Sequence, residues 1–258
     1  VKRALLKLFY PIGNPAKIRF GSLKGYKIQI TENSGWSPIV GRWEPINQIV
    51  FSNIIKPDQI VYDLGSNNGL HSLLFSKLVG PNGKVIAFEP LDTNVSEIKQ
   101  NIRLNGITNI EIVPKAVSNK SGEISFLLGQ HDKQGSLVGI GRESQNSIKI
   151  QCISIDDYIR DTNQNPDFIK IDVEGAESMV LEGASELLKN KPKLFIELHT
   201  PEQDVAVGQI LKEFGYEVYR INENQKPGSD KGEYLEKVSN LEVGWPNPDG
   251  IWGNIIAF

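Results

Sequence analysis

The chain has 258 residues, 39% hydrophobic and 23% charged, the balance of a folded globular protein and not of a disordered one. Its formal net charge of −3 gives no general attraction to phosphate backbones, so nucleic acid is not an expected partner. The single cysteine, Cys152, excludes an intrachain disulfide and a cysteine-cluster zinc site and fits a reducing, cytoplasmic setting, and no apolar run is long enough to span a bilayer as a helix.

Residues 1–54 show no regular alternation of elements. Val1–Tyr10 is basic and amphipathic and reads as a short helix packed on the domain, with docking on a membrane surface as the alternative, and lacks the longer apolar stretch of a signal peptide. Tyr26–Ile30 is expected as a strand, followed by the turn-rich Ser34–Pro38 and Gly41–Pro45 and a helix over Ile46–Ile55. The region is expected to form a lid or cap, with residues 55–258 as the main domain.

From residue 55 the pattern alternates. Ile60–Leu64, Lys84–Phe88 and Ile110–Val113 are apolar, β-branched runs bounded by Gly, Pro or Asn and predict buried strands. Leu70–Val79 and Leu91–Asn105 between them have apolar residues at helical spacing, with Gly106 closing the second. This rhythm predicts an α/β fold with a doubly wound, mostly parallel sheet of the Rossmann type. Residues 117–155 break it: Gly122–Leu128 and Ser147–Ile155 alternate like strands around Gly129, Gly135, Gly139 and Gly141, which predicts an antiparallel β insertion. The alternation then resumes with strand Asp167–Ile171, helix Ala176–Leu188, strand Lys193–Leu198, helix Glu202–Phe214 and strand Tyr216–Ile221. Asn222–Asn240 is polar and expected as an exposed loop, and Ile251–Phe258 as the final strand.

The strongest functional signal starts at Asp63, delivered by a buried strand to its carboxyl end. Gly65-Ser66-Asn67-Asn68-Gly69 follows, and the helix from Leu70 points its free N–H groups into the same crevice. A dinucleotide fold would want a second glycine where Asn67 stands, and Asp63 would repel a pyrophosphate. A zwitterionic ligand without pyrophosphate fits better, its ammonium met by Asp63. At the end of the next strand Glu89, before Pro90, is placed to accept hydrogen bonds from both ribose hydroxyls of an adenosine. Lys115, Ala116 and Val117, after the third strand, are expected to border the adenine.

These residues resemble the FkbM-type family of class I S-adenosylmethionine-dependent methyltransferases. The resemblance rests on Tyr62–Gly69, Phe88-Glu89-Pro90 and Lys115–Ser118. It is strengthened by Ile169–Glu177 (Ile-Lys-Ile-Asp-Val-Glu-Gly-Ala-Glu) and Pro192–His199, and Gly41–Pro45 looks like the family's lead-in motif. It implies a seven-stranded sheet whose last strand is antiparallel and inserted beside the fifth, S-adenosyl-L-methionine as methyl donor, and a hydroxyl of a sugar or natural product as acceptor. Glu44 in the lead-in motif is placed with the cofactor-binding residues. Asn67-Asn68 departs from the commoner family form.

Methyl transfer to an alcohol needs an aligned acceptor and a group to take its proton. Asp172 and Glu174 at the end of the fourth strand, and Glu197 and His199 at the end of the fifth, sit where an open α/β sheet holds its ligands. His199 is the leading general base, since an imidazole titrates near neutral pH. Asp172 and Glu174 are expected to bind the methionyl end of the cofactor or orient the base. A divalent cation such as magnesium is not expected, although Asp172 and Glu197, with Glu174, are the residues that would hold one. Glu177 reads as support for its helix's first turn, and His71 as a packing or capping residue or a ligand contact. His131 is expected to face solvent, Trp36 and Trp43 to pack the lid or wall the acceptor, and Cys152 to be a small buried hydrophobe. The leading reading is an O-methyltransferase acting on a small hydroxylated acceptor. An RNA or protein methyltransferase and a non-catalytic cofactor-binding module are the competing ones.

Overall fold

The computed structural model describes residues 9–32, 34–128, 135–137, 147–225 and 234–258. The helix expected in Val1–Tyr10, His131, and the middle parts of the 117–155 insertion and the 222–240 loop fall largely outside these residues.

The central sheet has the order β13-β12-β14-β11-β10-β3-β4-β5. Its strands are β3 (Ile60–Leu64), β4 (Lys84–Phe88), β5 (Ile110–Val113), β10 (Phe168–Ile171), β11 (Lys193–Glu197), β12 (Val218–Ile221), β13 (Leu235–Lys237) and β14 (Asn254–Ala257). The five from β5 to β11 run parallel, and β14 lies antiparallel between β11 and β12. Seven of these strands stand in the order the family resemblance implies. The eighth, β13, extends the edge from within the stretch expected as a loop, and Tyr234 just before it is buried.

Successive residues of a strand face opposite sides, so each central strand feeds two cores. Tyr62, Leu64, Ile169, Ile171 and Ile196 pack on one side with α5 (Ile155–Thr162), α6 (Glu177–Glu182), α7 (Ser185–Leu188) and α8 (Pro201–Glu213). Val61, Phe168 and Phe195 pack on the other with α2 (Pro45–Ile54) and α3 (Leu70–Val79), where Phe51 meets Phe75, Phe168 and Phe195 edge-on. The N-terminal segment therefore shares the domain's core through α2.

Ahead of α2, β1 (Pro15–Lys17) and β2 (Lys27–Gln29) form a hairpin, followed by the short α1 (Trp36–Ile39). Two asparagines of α4 (Asp92–Asn105) dock this hairpin: Asn101 accepts from the Gln29 amide at 2.7 Å, and Asn105 accepts from that of Lys27 at 2.7 Å. The insertion is a separate four-stranded sheet of β6 (Ala116–Val117), β9 (Ser147–Ile153), β7 (Gly122–Leu128) and β8 (Gly135–Leu137). The expected strand to Ile155 stops at Ile153, because Ser154 caps α5, accepting from the Asp157 amide at 3.2 Å. The helix expected over Ala176–Leu188 is divided in two, α6 and α7. Among the described residues no helix is long and apolar enough to cross a membrane.

Candidate active site

The strands reverse their direction of progression between β3 and β10, and the carboxyl ends of these two strands frame a crevice. Gly65 closes it from below. Its φ of +76° is in the left-handed region, and a Cβ there would stand 1.8 Å from the Asp172 carbonyl oxygen, so only glycine lets the two chains approach. Asn67 also has positive φ, at 49°, a conformation asparagine tolerates better than most residues. That turn aims the Asn67 amide at Glu89 Oε2, 2.9 Å away.

Two cavities meet at this turn. Gly65, Asn67, Glu89, Pro90, Lys115, Ala116, Val117, Asp172 and Glu174 line the first, together with Phe88, Leu91 and Phe126. Glu44, Gly65, Ser66, Asn67, Asn68 and Asp172 line the second, with Trp43, His71 and Lys170. Asp63 and Gly69 line neither. Gly69 precedes α3, and Asp63 is fully buried behind the turn. The Asp63 carboxylate accepts from Ser72 Oγ and lies 3.4 Å from the ammonium of Lys170. The cation that Asp63 meets is thus the protein's own.

Glu89 is buried yet faces the first cavity, accepting also from the Leu91 amide at 3.0 Å and Asn94 Nδ2 at 3.1 Å. Burial pushes its carboxyl up to about 7, against the pull of those donors. At the second cavity Glu44 Oε2 lies 3.1 Å from His71 Nε2, whose ring packs against Trp43 at a tilt of 55° with centroids 4.4 Å apart. Burial opposes ionisation of Glu44, but the His71 contact and the hydrogen bond from Asn47 outweigh it and hold the carboxyl at about 2. Trp36 packs edge-on against Tyr10 and lines neither cavity, although its neighbours Gly35 and Ser37 line the second.

Asp172, Glu174, Glu197 and His199 do come together. His199 Nε2 lies 3.6 Å from Asp172 Oδ1, 3.6 Å from Glu174 Oε2 and 4.0 Å from Glu197 Oε1, separations of charge proximity and not of hydrogen bonds. Its other nitrogen, Nδ1, makes a 2.7 Å contact with Glu177 Oε1. Burial disfavours the imidazolium, yet Glu177, Asp172 and Glu174 raise His199 to about 9. Glu197 is pushed up to about 7 by burial and by the Asp172 charge. One ligand atom each from Asp172, Glu174 and His199 lies within 4.8 Å of the others, so a cation would meet His199 beside the expected Asp172 and Glu174, and Glu197 is not in that set. Lys170, Leu91 and Phe126 line the cavities without a role expected from the sequence, and Glu177, expected only to support its helix's first turn, meets His199. A lysine inside the apolar run Phe168-Ile169-Lys170-Ile171 was the available signal, because a buried ammonium demands partners.

Residues 63–218 match the methyltransferase FkbM domain, well over half of the chain. The chain belongs to this family of methyltransferases. Among curated relatives of this FkbM protein, the 2-O-methyltransferase NoeI of Sinorhizobium fredii is 25% identical over 181 residues, covering 64% of this chain and 72% of the relative. The hexuronic acid methyltransferase AglP of Haloferax volcanii is 26% identical over 176 residues, covering 66% and 69%. A solved structure of precorrin-6y C5,15-methyltransferase from Geobacter metallireducens superposes with a TM-score of 0.47 at 15% identity, over 83% of this chain and 89% of that one. That likeness is too distant to add to the topology described above. The FkbM chain's donor set suits S-adenosylmethionine: a buried carboxylate, Glu89, at a small apolar-walled cavity, and a glycine turn with no room for a side chain.

Proposed function

We propose that this chain transfers a methyl group from S-adenosylmethionine to a hydroxyl of a sugar-containing acceptor. The observation that carries the reading is Asp172, which lines both cavities and lies 3.6 Å from His199. Any ligand running along the Gly65 turn therefore ends beside a group able to take a proton. The printed activities of NoeI and AglP support a sugar hydroxyl as the acceptor class.

Glu89 would hold the ribose, Leu91, Ala116, Val117 and Phe126 the adenine, and the turn from Gly65 to Asn68 the methionyl end. The cofactor supplies an electrophilic methyl on a sulfonium that leaves as a neutral thioether, so no acid is needed for its departure. Asp172 and Glu174 favour a cationic donor at this edge. A bound cation there also offsets part of the carboxylate field that holds the His199 proton. With donor and acceptor bound, His199 Nε2 would accept the acceptor's hydroxyl proton as the methyl passes from sulfur to oxygen.

The test is transfer of labelled methyl to a panel of methyl glycosides of neutral hexoses, deoxyhexoses and hexuronates. At least one should be methylated on oxygen. His199→Ala should lose turnover while S-adenosylhomocysteine binds with unchanged affinity in calorimetry. Labelling confined to RNA or protein substrates would sink the sugar assignment, and undiminished turnover by His199→Ala would remove it as the base.

A further inference from the structure

Glu177 is fully buried, and one of its oxygens does two things at once. Oε1 accepts from the Gly175 amide at 2.9 Å and contacts His199 Nδ1 at 2.7 Å. A buried carboxylate is costly unless a cation or several donors face it. Among the described residues, His199 is the only cationic group that ion-pairs with it.

We propose that Glu177 is the positioning residue of the methyl transfer, fixing the His199 proton on Nδ1 so that Nε2 is presented to the acceptor hydroxyl. The inference rests on the reading of His199 as the base. A carboxylate at Nδ1 selects one tautomer, sets the ring's orientation and stabilises the imidazolium that forms when Nε2 takes the proton. The groups facing the ring come from three elements: Asp172 and Glu174 follow β10, Glu177 begins α6, and Glu197 ends β11. Asp172, Glu174 and Glu197 all lie on the Nε2 side at 3.6 Å or more, and among the described residues Glu177 alone meets Nδ1. A purely structural Glu177 would serve only to receive the Gly175 amide. A neutral glutamine does that equally well, and the charge would be superfluous.

Glu177→Gln separates the two roles, because it keeps the shape and the bond from Gly175 but removes the charge. The expected result is a kcat lower by about 10- to 100-fold on the best glycoside of the panel. KM and S-adenosylhomocysteine affinity should stay within about twofold, and the acid limb of the rate profile should move to lower pH, since one of the carboxylates raising His199 is gone. Wild-type kcat and an unmoved limb in Glu177→Gln, with His199→Ala inactive, would overturn the positioning role and leave the base standing. Full turnover by His199→Ala would instead overturn the base and this proposal with it. A readout independent of the variant's folding is nitrogen NMR of the wild-type histidines above the His199 ionisation, assigned with His199→Asn. Nδ1 should be the protonated nitrogen, and a proton on Nε2 would overturn the proposal.

Discussion

Lys170 and Asp63 are register partners on the neighbouring parallel strands β10 and β3, and their side chains form an ion pair at 3.4 Å with exposures of 1% and 0%. The same ammonium lies 2.9 Å from Asp172 Oδ2 and donates to the Gly65 carbonyl at 3.2 Å. Burial works against the charge on Lys170, but Asp172 and Asp63 more than compensate and raise its pKa. The amine is therefore a fixed cation beneath the turn. Lys170→Met should leave Asp63 buried without its counter-charge and lower unfolding stability by about 3–5 kcal/mol. Adding Asp63→Asn should restore more than half of that loss, as measured by urea denaturation. A single variant within about 1 kcal/mol of wild type would show that the pair contributes little.

The turn, the strands around it and the acidic cluster were legible in the sequence because each depends on local pattern. Ile60–Leu64 and Leu70–Val79 have the bounds expected, their apolar periods being long and cleanly punctuated. The break between α6 and α7 was hidden because Val180, Leu181, Ala184, Leu187 and Leu188 all enter one core, and burial continues across it. The helix α5 was readable from Ser154 and the acidic Asp156-Asp157, but extending the preceding strand to Ile155 consumed the cap. From the sequence Asp63 reads as facing a ligand's ammonium, since only the β3–β10 register brings Lys170 beside it. The pairing of Glu177 with His199 is equally non-local, joining residues 22 apart through the docking of α6 at the end of β11.

Glu89 makes cofactor binding depend on pH. Its carboxyl stands at about 7 instead of the ordinary 4.5, with burial as the main cause. Ribose hydroxyls donate to the ionised form, so affinity for S-adenosylhomocysteine should fall about tenfold between pH 8 and pH 6. Stability without ligand should show the opposite trend. The folded state holds the extra proton between about 4.5 and 7, so the contribution of Glu89 to stability is present below that window and lost as pH rises through it. Glu89→Gln should remove both slopes and weaken binding at pH 8. Calorimetry giving the same affinity at pH 6 and pH 8 for the wild type would contradict the ribose assignment.

The close approach of β3 and β10 at Gly65 has its own test. Gly65→Ala must accommodate a methyl 1.8 Å from the Asp172 carbonyl oxygen at a φ of +76°. Gly13→Ala meets a similar φ of +86° with nothing within 4 Å, and serves as the control for backbone strain alone. The Gly13 variant should lose about 1 kcal/mol, and the Gly65 variant about 3 kcal/mol or more together with measurable cofactor binding. Equal thermal shifts for the two would mean that the chains can separate at Gly65 without penalty.

Glu44 links the N-terminal segment to the pocket wall, and its acid response should be separable from that of the other carboxylates. Its carboxyl stands at about 2 because the His71 contact and Asn47 outweigh burial. For a depressed carboxyl the sign is the reverse of that for Glu89: the stabilisation is complete above the ordinary 4.5 and is lost as pH falls towards 2. Glu44→Gln keeps the side chain's shape and removes its charge. The stability difference between wild type and variant should therefore shrink towards zero as pH falls from about 4.5 towards 2. The same variant should weaken S-adenosylhomocysteine binding at neutral pH, because Glu44 and the His71 it orients both line the second cavity. A pH-independent stability difference would mean that the His71 contact leaves the carboxyl unperturbed, and unchanged affinity would take Glu44 out of the binding wall.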